Sequence, residues 1–264
     1  MSTINNVRSP WQVTLSVWNA LFLREAVNRL SKERTAWVWL LLEPVGHIAF
    51  VMFLFATVRL RVISGINTEV WVMTGLLAYF MFGRPAQQAW NAVRTNWALF
   101  TYRQVKPVDT VFVRAGLEGF LMIVVATILL FGAGLYGLEV VPADPLSVLV
   151  AVFGLWLVAL GYGLITSVAS ELVPELGRSI RLATRPLYFF SGVIFPLQIV
   201  PQPYRDWLMY NPVLHGLEAT RSGFSPLYRT LPDTSVAYMY GFALVAIFLG
   251  LALHRRFAGA LVTQ

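Results

Sequence analysis

Residues 146–169 run for twenty-four positions without one Asp, Glu, Lys, Arg or His. A segment of that kind leaves a chain almost no choice, because about 20 helical residues cross a hydrocarbon core and only a helix or a closed barrel satisfies its backbone there. Five further stretches read the same way: 36–58, 70–90, 112–138, a shorter one at 180–195, and 236–253. Only 12% of the residues are charged and 57% are hydrophobic, against roughly one-quarter charged in soluble domains. The expected fold is therefore an all-α membrane protein with six transmembrane helices, preceded by an amphipathic helix and interrupted by a re-entrant helical hairpin before the last span.

The amphipathic helix is expected over 11–34. Trp11, Leu15, Trp18 and Phe22 recur at helical spacing beside Arg24, Arg29, Lys32 and Arg34, a pattern that lies in an interface with its basic face toward lipid phosphates. The first thirty-four residues hold no apolar core behind a basic start, so no cleavable signal peptide is expected. The re-entrant pair is expected at 196–227. This stretch is too apolar for a solvated loop, and Pro196, Pro201, Pro203 and Pro212 break it too often to span. Irregular backbone at membrane depth needs protein or a cavity to cover it.

With six spans, fourteen of the twenty Lys and Arg fall on one side, five on the other, and Arg84 lies inside a span. The positive-inside rule then places both termini in the cytoplasm. The formal charge of +7 reads as topology rather than nucleic-acid binding. Cys is absent and only His47, His215 and His254 occur, so no metal cage suggests itself. The sequence contains no G-x-x-x-x-G-K-[ST] loop, no H-E-x-x-H and no G-x-S-x-G. An enzyme or a self-powered pump is not expected; transport or scaffolding remains.

Candidate pathway residues follow from placement. Arg84, in the second span and followed by Pro85, is an intramembrane cation costing at least about 2.5 kcal/mol, hence a functional candidate unless it snorkels to the inner interface. Glu43 and His47 lie one turn apart in the first span, where they either partner Arg84 across a helix pair or sit beneath the headgroups. Trp37, Trp39, Trp71, Trp90 and Trp207 fall at span ends and read as an interfacial belt. Trp156 lies mid-span, and with Tyr79 and Phe80 it offers flat aromatic faces that suit sugars as well as core packing. His215, Glu218 and Arg221 are spaced to follow one another along a short helix after Pro212. They form either an intrahelical ion pair or a gate at the outer mouth of a pathway. In the loop 94–109, Arg94, Arg103 and Lys106 flank Trp97, Phe100 and Tyr102, a basic rim around apolar anchors that fits a protein groove or a lipid surface.

The pattern Y-x-x-S-G-V-I-F-P-L-x-x-V-P from Tyr188 to Pro201, followed by Y-N-P-V-L-H-G-L-E-A-T-R-S-G-F-S-P from Tyr210 to Pro226, resembles the membrane subunit of type-2 ABC exporters. Within that superfamily the chain is most similar to capsular-polysaccharide export permeases, with O-antigen and teichoic-acid permeases as relatives. The resemblance implies a homodimer in the bacterial inner membrane, paired with two ATPase subunits that hold the ATP and magnesium, this chain carrying no cofactor. It implies transport of a lipid-linked polysaccharide to the periplasm, periplasmic and outer-membrane export proteins as further partners, and no nucleic acid. It also implies that the loop 94–109, through Trp97, Phe100, Tyr102 and Arg103, couples to the ATPase. A dimer is expected on physical grounds too, since a symmetric pair can enclose a pathway on its axis. An ion-coupled secondary transporter is the alternative of a different class. It would show internal repeats and polar groups on interrupted helices, which the ion-poor third and fourth spans do not offer.

Overall fold

A computed structural model describes residues 9–31, 36–57, 62–63 and 65–263. Lys32, Arg34, Arg59 and Arg61, which entered the sequence reading of the interface helix and of topology, lie outside the described residues, as does the side chain of Trp37. The chain begins with α1 (Pro10–Ser31), α2 (Ala36–Thr57), a minimal antiparallel hairpin of β1 (Val62–Ile63) and β2 (Ile66–Asn67), and α3 (Thr68–Trp90). In the hairpin Val62 pairs with Asn67 and Ile63 with Ile66. The loop after α3 holds α4 (Ala92–Thr95) and a 3-10 turn over Trp97–Thr101. Two long helices, α5 (Pro107–Leu135) and α6 (Pro145–Leu172), precede α7 (Pro174–Thr184) and α8 (Leu187–Phe190). The carboxy-terminal third holds α9 (Tyr204–Leu208), α10 (Pro212–Phe224) and α11 (Val236–Arg256).

Helix starts are written in the sequence. At α1 Ser9 Oγ accepts from the Gln12 N–H at 3.3 Å while Gln12 Oε1 accepts from the Ser9 N–H at 3.0 Å, a capping box with proline at the first helical position. Asp144 caps α6, accepting from Ser147 N–H and Oγ at 3.0 and 2.6 Å. Those hydrogen bonds hold its carboxyl below the usual range. Asn211 caps α10 through the Val213 N–H at 3.0 Å, and Ser235 caps α11 through Tyr238.

α6 is the hub, packed against α11, α3, α10 and α5. Glycine makes this possible, since transmembrane helices approach closely where side chains are small. A Cβ on Gly163 would lie 2.2 Å from Ala89 Cβ on α3, and one on Gly161 would lie 2.8 Å from Ala246 Cβ on α11. Neither neighbour can turn aside, because each methyl is fixed to its helix. Gly163→Val should therefore force α3 and α6 apart and cost about 1–3 kcal/mol, read as a lower thermal midpoint in detergent, whereas Gly116→Val, with open space around it, should leave the midpoint unchanged.

Among the described residues three helices are long and apolar enough to cross a membrane: α5, α6 and α11. In α2 the apolar portion is the shorter Leu42–Phe55, and α3, although 23 residues long, is largely buried between neighbours and carries polar groups. The expected fifth span is not one helix. It divides into α7 and α8 around a turn at Arg185–Pro186, followed by turns at 191–196, because proline cannot donate to the ladder and disfavours helix at the residue before it. The expected third span starts earlier than its apolar run, at Pro107, where Asp109 accepts from the Lys106 N–H at 3.0 Å. In the segment expected to re-enter, the short helices α9 and α10 are present.

Candidate functional site

Helices α2, α3, α6 and α7 surround a cavity of about 460 Å3. From α2 come Glu43 and His47, one turn apart; from α3 come Tyr79, Phe80, Phe82, Arg84 and Gln87; α6 gives Tyr162; α7 and the turn after it give Arg181, Thr184 and Arg185. Five residues singled out by sequence (Arg84, Glu43, His47, Tyr79 and Phe80) thus meet in one place, and the partnership of Arg84 with Glu43 is real. Arg84 Nη2 lies 2.9 Å from Glu43 Oε2. The Arg84 side chain is 20% exposed and that of Glu43 71%, so this pair contributes little to stability and its carboxylate is exchangeable.

Three guanidinium groups line the cavity against one carboxylate, giving it an excess of positive charge. Arg181 stacks over Trp90 at 4.9 Å, a cation–π contact that leaves its donors free to face outward. Aromatic rings line it as well: Phe82 and Tyr162 meet edge to face at 6.1 Å, and Tyr79 is backed by Tyr188, outside the lining, at 5.0 Å, with His47 Nε2 3.0 Å from the Tyr188 hydroxyl. Tyr162 and Thr184 join α6 to α7 through their hydroxyls. Cationic forks beside flat rings with polar edges suit an anionic sugar or a phosphate. The sequence reading missed Arg181 and Arg185, which entered only a topology count, and Tyr162, whose role depends on contacts made in three dimensions.

An ion cluster adjoins the cavity through Arg84. Arg29 of α1 pairs with Glu118 of α5, which is buried at 1% side-chain exposure, and also with Glu25 at 3.4 Å. Arg114 pairs with Glu25 at 2.8 Å, and Arg84 Nη1 lies 4.0 Å from Glu118 Oε1. Trp18 donates to Asp109 at 2.8 Å and stacks on Phe112. The basic face of α1 therefore does not all turn toward lipid: Arg29 is withdrawn to compensate Glu118. Two complementary pairs one turn apart, Glu25/Arg29 and Arg114/Glu118, were the sequence signal for this docking.

His215, Glu218 and Arg221 sit in the interior, with 2%, 0% and 0% exposure, rather than lining an opening. The intrahelical pair exists, with Arg221 Nη1 at 3.4 Å from Glu218 Oε1. Arg221 also donates to the Gly192 and Val193 carbonyls at 2.8 and 3.1 Å and lies 3.7 Å above the Trp71 ring. Tyr228 donates to Glu218 at 2.7 Å. His215 Nδ1 accepts from the Ser235 N–H at 3.0 Å while Nε2 faces the Met209 carbonyl at 2.8 Å. This is a packed clasp holding α10, α3 and the 191–196 turns together, and it makes Trp71 a core residue rather than a belt residue. Trp90 is buried likewise, whereas Trp39 and Trp207 are exposed.

Trp156 does not reach the cavity. Its Nε1 donates to the Ala115 carbonyl at 2.9 Å and its ring stacks on Phe153, so it joins α6 to α5. In the loop after α3, Trp97 and Tyr102 are 51% and 65% exposed and Arg103 is exposed, but Phe100 is buried against Ala89, Val93 and Leu164. Phe100 is thus a core residue, because the 3-10 turn directs it inward while Trp97 and Tyr102 point away. A shallow groove of about 390 Å3 between this loop and α1 is lined by Val13, Val17, Leu21, Leu99 and Tyr102.

Comparison with known proteins bears on what this arrangement does. A family model described as "ABC-2 type transporter" matches residues 16–225. The polysialic acid transport protein KpsM of Escherichia coli is 32% identical over 257 residues, covering 97% of this chain and 99% of that protein. The capsule polysaccharide export inner-membrane proteins CtrC of Neisseria meningitidis and BexB of Haemophilus influenzae are each 28% identical, covering 94% of this chain and 93% of theirs.

Proposed function

The chain belongs to the ABC-2 type transporter family, and on that premise we propose that it is the inner-membrane permease subunit of an ATP-driven exporter of an acidic, lipid-linked capsular polysaccharide. The observation that carries the acidic substrate is the cavity, where Arg84, Arg181 and Arg185 face aromatic rings and a single exposed carboxylate. The similarity to capsule export proteins along nearly the whole chain supports the substrate class. Two copies with two ATPase subunits form the working unit, the ATPases holding ATP and magnesium. In this reading the bundle crosses six times with both termini cytoplasmic, and α9 and α10 re-enter from the periplasmic side. An ion-coupled transporter is disfavoured because the buried carboxylates Glu118 and Glu218 are each paired with arginine and so poorly placed to relay a proton or sodium.

The test is co-purification with the ATPase together with export in a strain lacking this gene. Restored surface polysaccharide and a stoichiometric complex are expected; surface polysaccharide restored without any ATPase partner would contradict the reading. In this reading the contact runs through the exposed anchors of the loop 94–109, Trp97 and Tyr102. Trp97→Ala with Tyr102→Ala should weaken ATPase association by roughly ten-fold, the size of an aromatic interface anchor, without lowering the thermal midpoint. Phe100→Ala should do the reverse, costing about 3 kcal/mol of stability as a buried aromatic lost from a core. Association unchanged in the double variant would place the coupling surface elsewhere, in α1 or α7.

A further inference from the structure

Glu118 stands between two arginines that belong to different parts of the machine. Its Oε2 is taken by Arg29 of α1. Its Oε1 is buried, has no hydrogen-bond partner, and lies 4.0 Å from Nη1 of Arg84, whose Nη2 meanwhile faces the cavity and Glu43 at 2.9 Å. Arg29 Nη2 is buried without a partner as well, so the contact between α1 and α5 is only half-satisfied. The other cation on this face, Arg114, is already held by Glu25 at 2.8 Å. A carboxylate at 1% exposure cannot be left without a countercharge. Whichever cation supplies it decides where Arg84 points.

Resting on the reading of the cavity as the substrate site, we infer that Glu118 is a shared acceptor for which Arg29 and Arg84 compete, making it a positioning residue that sets the availability of Arg84 to substrate according to the seating of α1. With α1 seated, Arg29 neutralises Glu118 and Arg84 is left to the cavity. With the Arg29 turn of α1 drawn away while Glu25, one turn earlier, still holds Arg114, Glu118 draws Arg84 inward and the cavity loses its least exposed cation, releasing a bound anion. α1 also forms one wall of the groove beside the loop 94–109, so a movement imposed on that cytoplasmic surface reaches the cavity through one carboxylate. The coupling needs only two discrete positions of one guanidinium, which is the physical content that a claimed link between distant sites requires.

The prediction is one of opposite signs. Full-length protein in native membranes is treated with phenylglyoxal, and modification of Arg84 is followed by mass spectrometry of its peptide. Arg29→Gln should slow labelling of Arg84 roughly three-fold, the size of one partly exposed ion pair, because the orphaned Glu118 pulls it inward. Glu118→Gln should speed labelling by a similar factor. A purely structural role would loosen the site in both variants and speed both; that result, or no change in either, overturns the inference. Should Arg29→Gln fail to reach the membrane, Arg29→Lys, which keeps the charge but loses the fork, must slow labelling to a smaller extent, and faster labelling in that variant overturns the inference equally. No glycan takes part in the measurement, so its failure is distinct from a failure of the substrate assignment.

Discussion

Arg221→Ala should leave little folded protein in the membrane. The substitution removes the stack on Trp71 at 3.7 Å, the donors to the Gly192 and Val193 carbonyls, and the countercharge of Glu218, with Arg221, Trp71 and Glu218 each at 0% exposure. Breaking a buried pair by deleting one partner costs about 3–5 kcal/mol, because the surviving charge stays desolvated, and this is a large share of the 5–15 kcal/mol of typical stability. The double variant Arg221→Met with Glu218→Gln should recover much of the loss, since replacing both charges by groups of similar volume is often nearly neutral. The measurement is the amount and thermal midpoint of protein extracted from membranes. An Arg221→Ala protein as abundant and as stable as wild type would show that the clasp around α10 does not hold the fold. If instead the variants fold but fail to export, these residues gate transport in the way the sequence first suggested.

Arg84→Ala should abolish most export while leaving assembly intact. Its pair with Glu43 is largely exposed on the carboxylate side and is therefore worth at most about 1 kcal/mol to the fold. Toward an anion in the cavity the guanidinium offers a bidentate donor, which is worth considerably more. A loss of at least roughly ten-fold in export, corresponding to about 1.4 kcal/mol, is expected for alanine, with partial retention for lysine, which supplies a point charge in place of a fork. Glu43→Gln should act in the opposite direction and tighten anion binding, because it removes the carboxylate that competes for Arg84. Wild-type export by Arg84→Ala would return this residue to the role of an interfacial cation.

How much of this was legible in the sequence depended on whether a feature was local. Residues 146–169 announced α6 by composition alone and Pro212 marked the start of α10, whereas the caps Asp144 and Asn211, local as capping chemistry is, were identified only from their hydrogen bonds in the structure. Half of the cavity was visible for a similar reason: Glu43 and His47, and Phe80 and Arg84, each lie one turn apart on a helix. The other half was not. Arg181 and Arg185 carry no pattern of their own, and only the break at Pro186 and the packing of α7 on α6 bring them to the site. Trp71 and Trp39 show the limit most clearly. Both stand at expected span ends, yet one is sealed beneath Arg221 and the other is 59% exposed. Burial of a single aromatic is decided by tertiary neighbours that periodicity does not contain. Glu118 passed as the last ion before an apolar run, because its significance lies in the arginines that two other helices bring to it.

The central claim, that the cavity around Arg84 receives an acidic glycan whose movement is powered by a partner ATPase, is tested most directly by ATP hydrolysis of the purified permease–ATPase complex in lipid nanodiscs. Oligosialic acid and a neutral dextran of the same length are added in parallel to wild type and to Arg84→Ala. Stimulation by the acidic glycan in wild type, little by the neutral one, and loss of the acidic response in Arg84→Ala with basal hydrolysis unchanged are expected. Equal stimulation by both glycans, or an undiminished acidic response in Arg84→Ala, would contradict that claim.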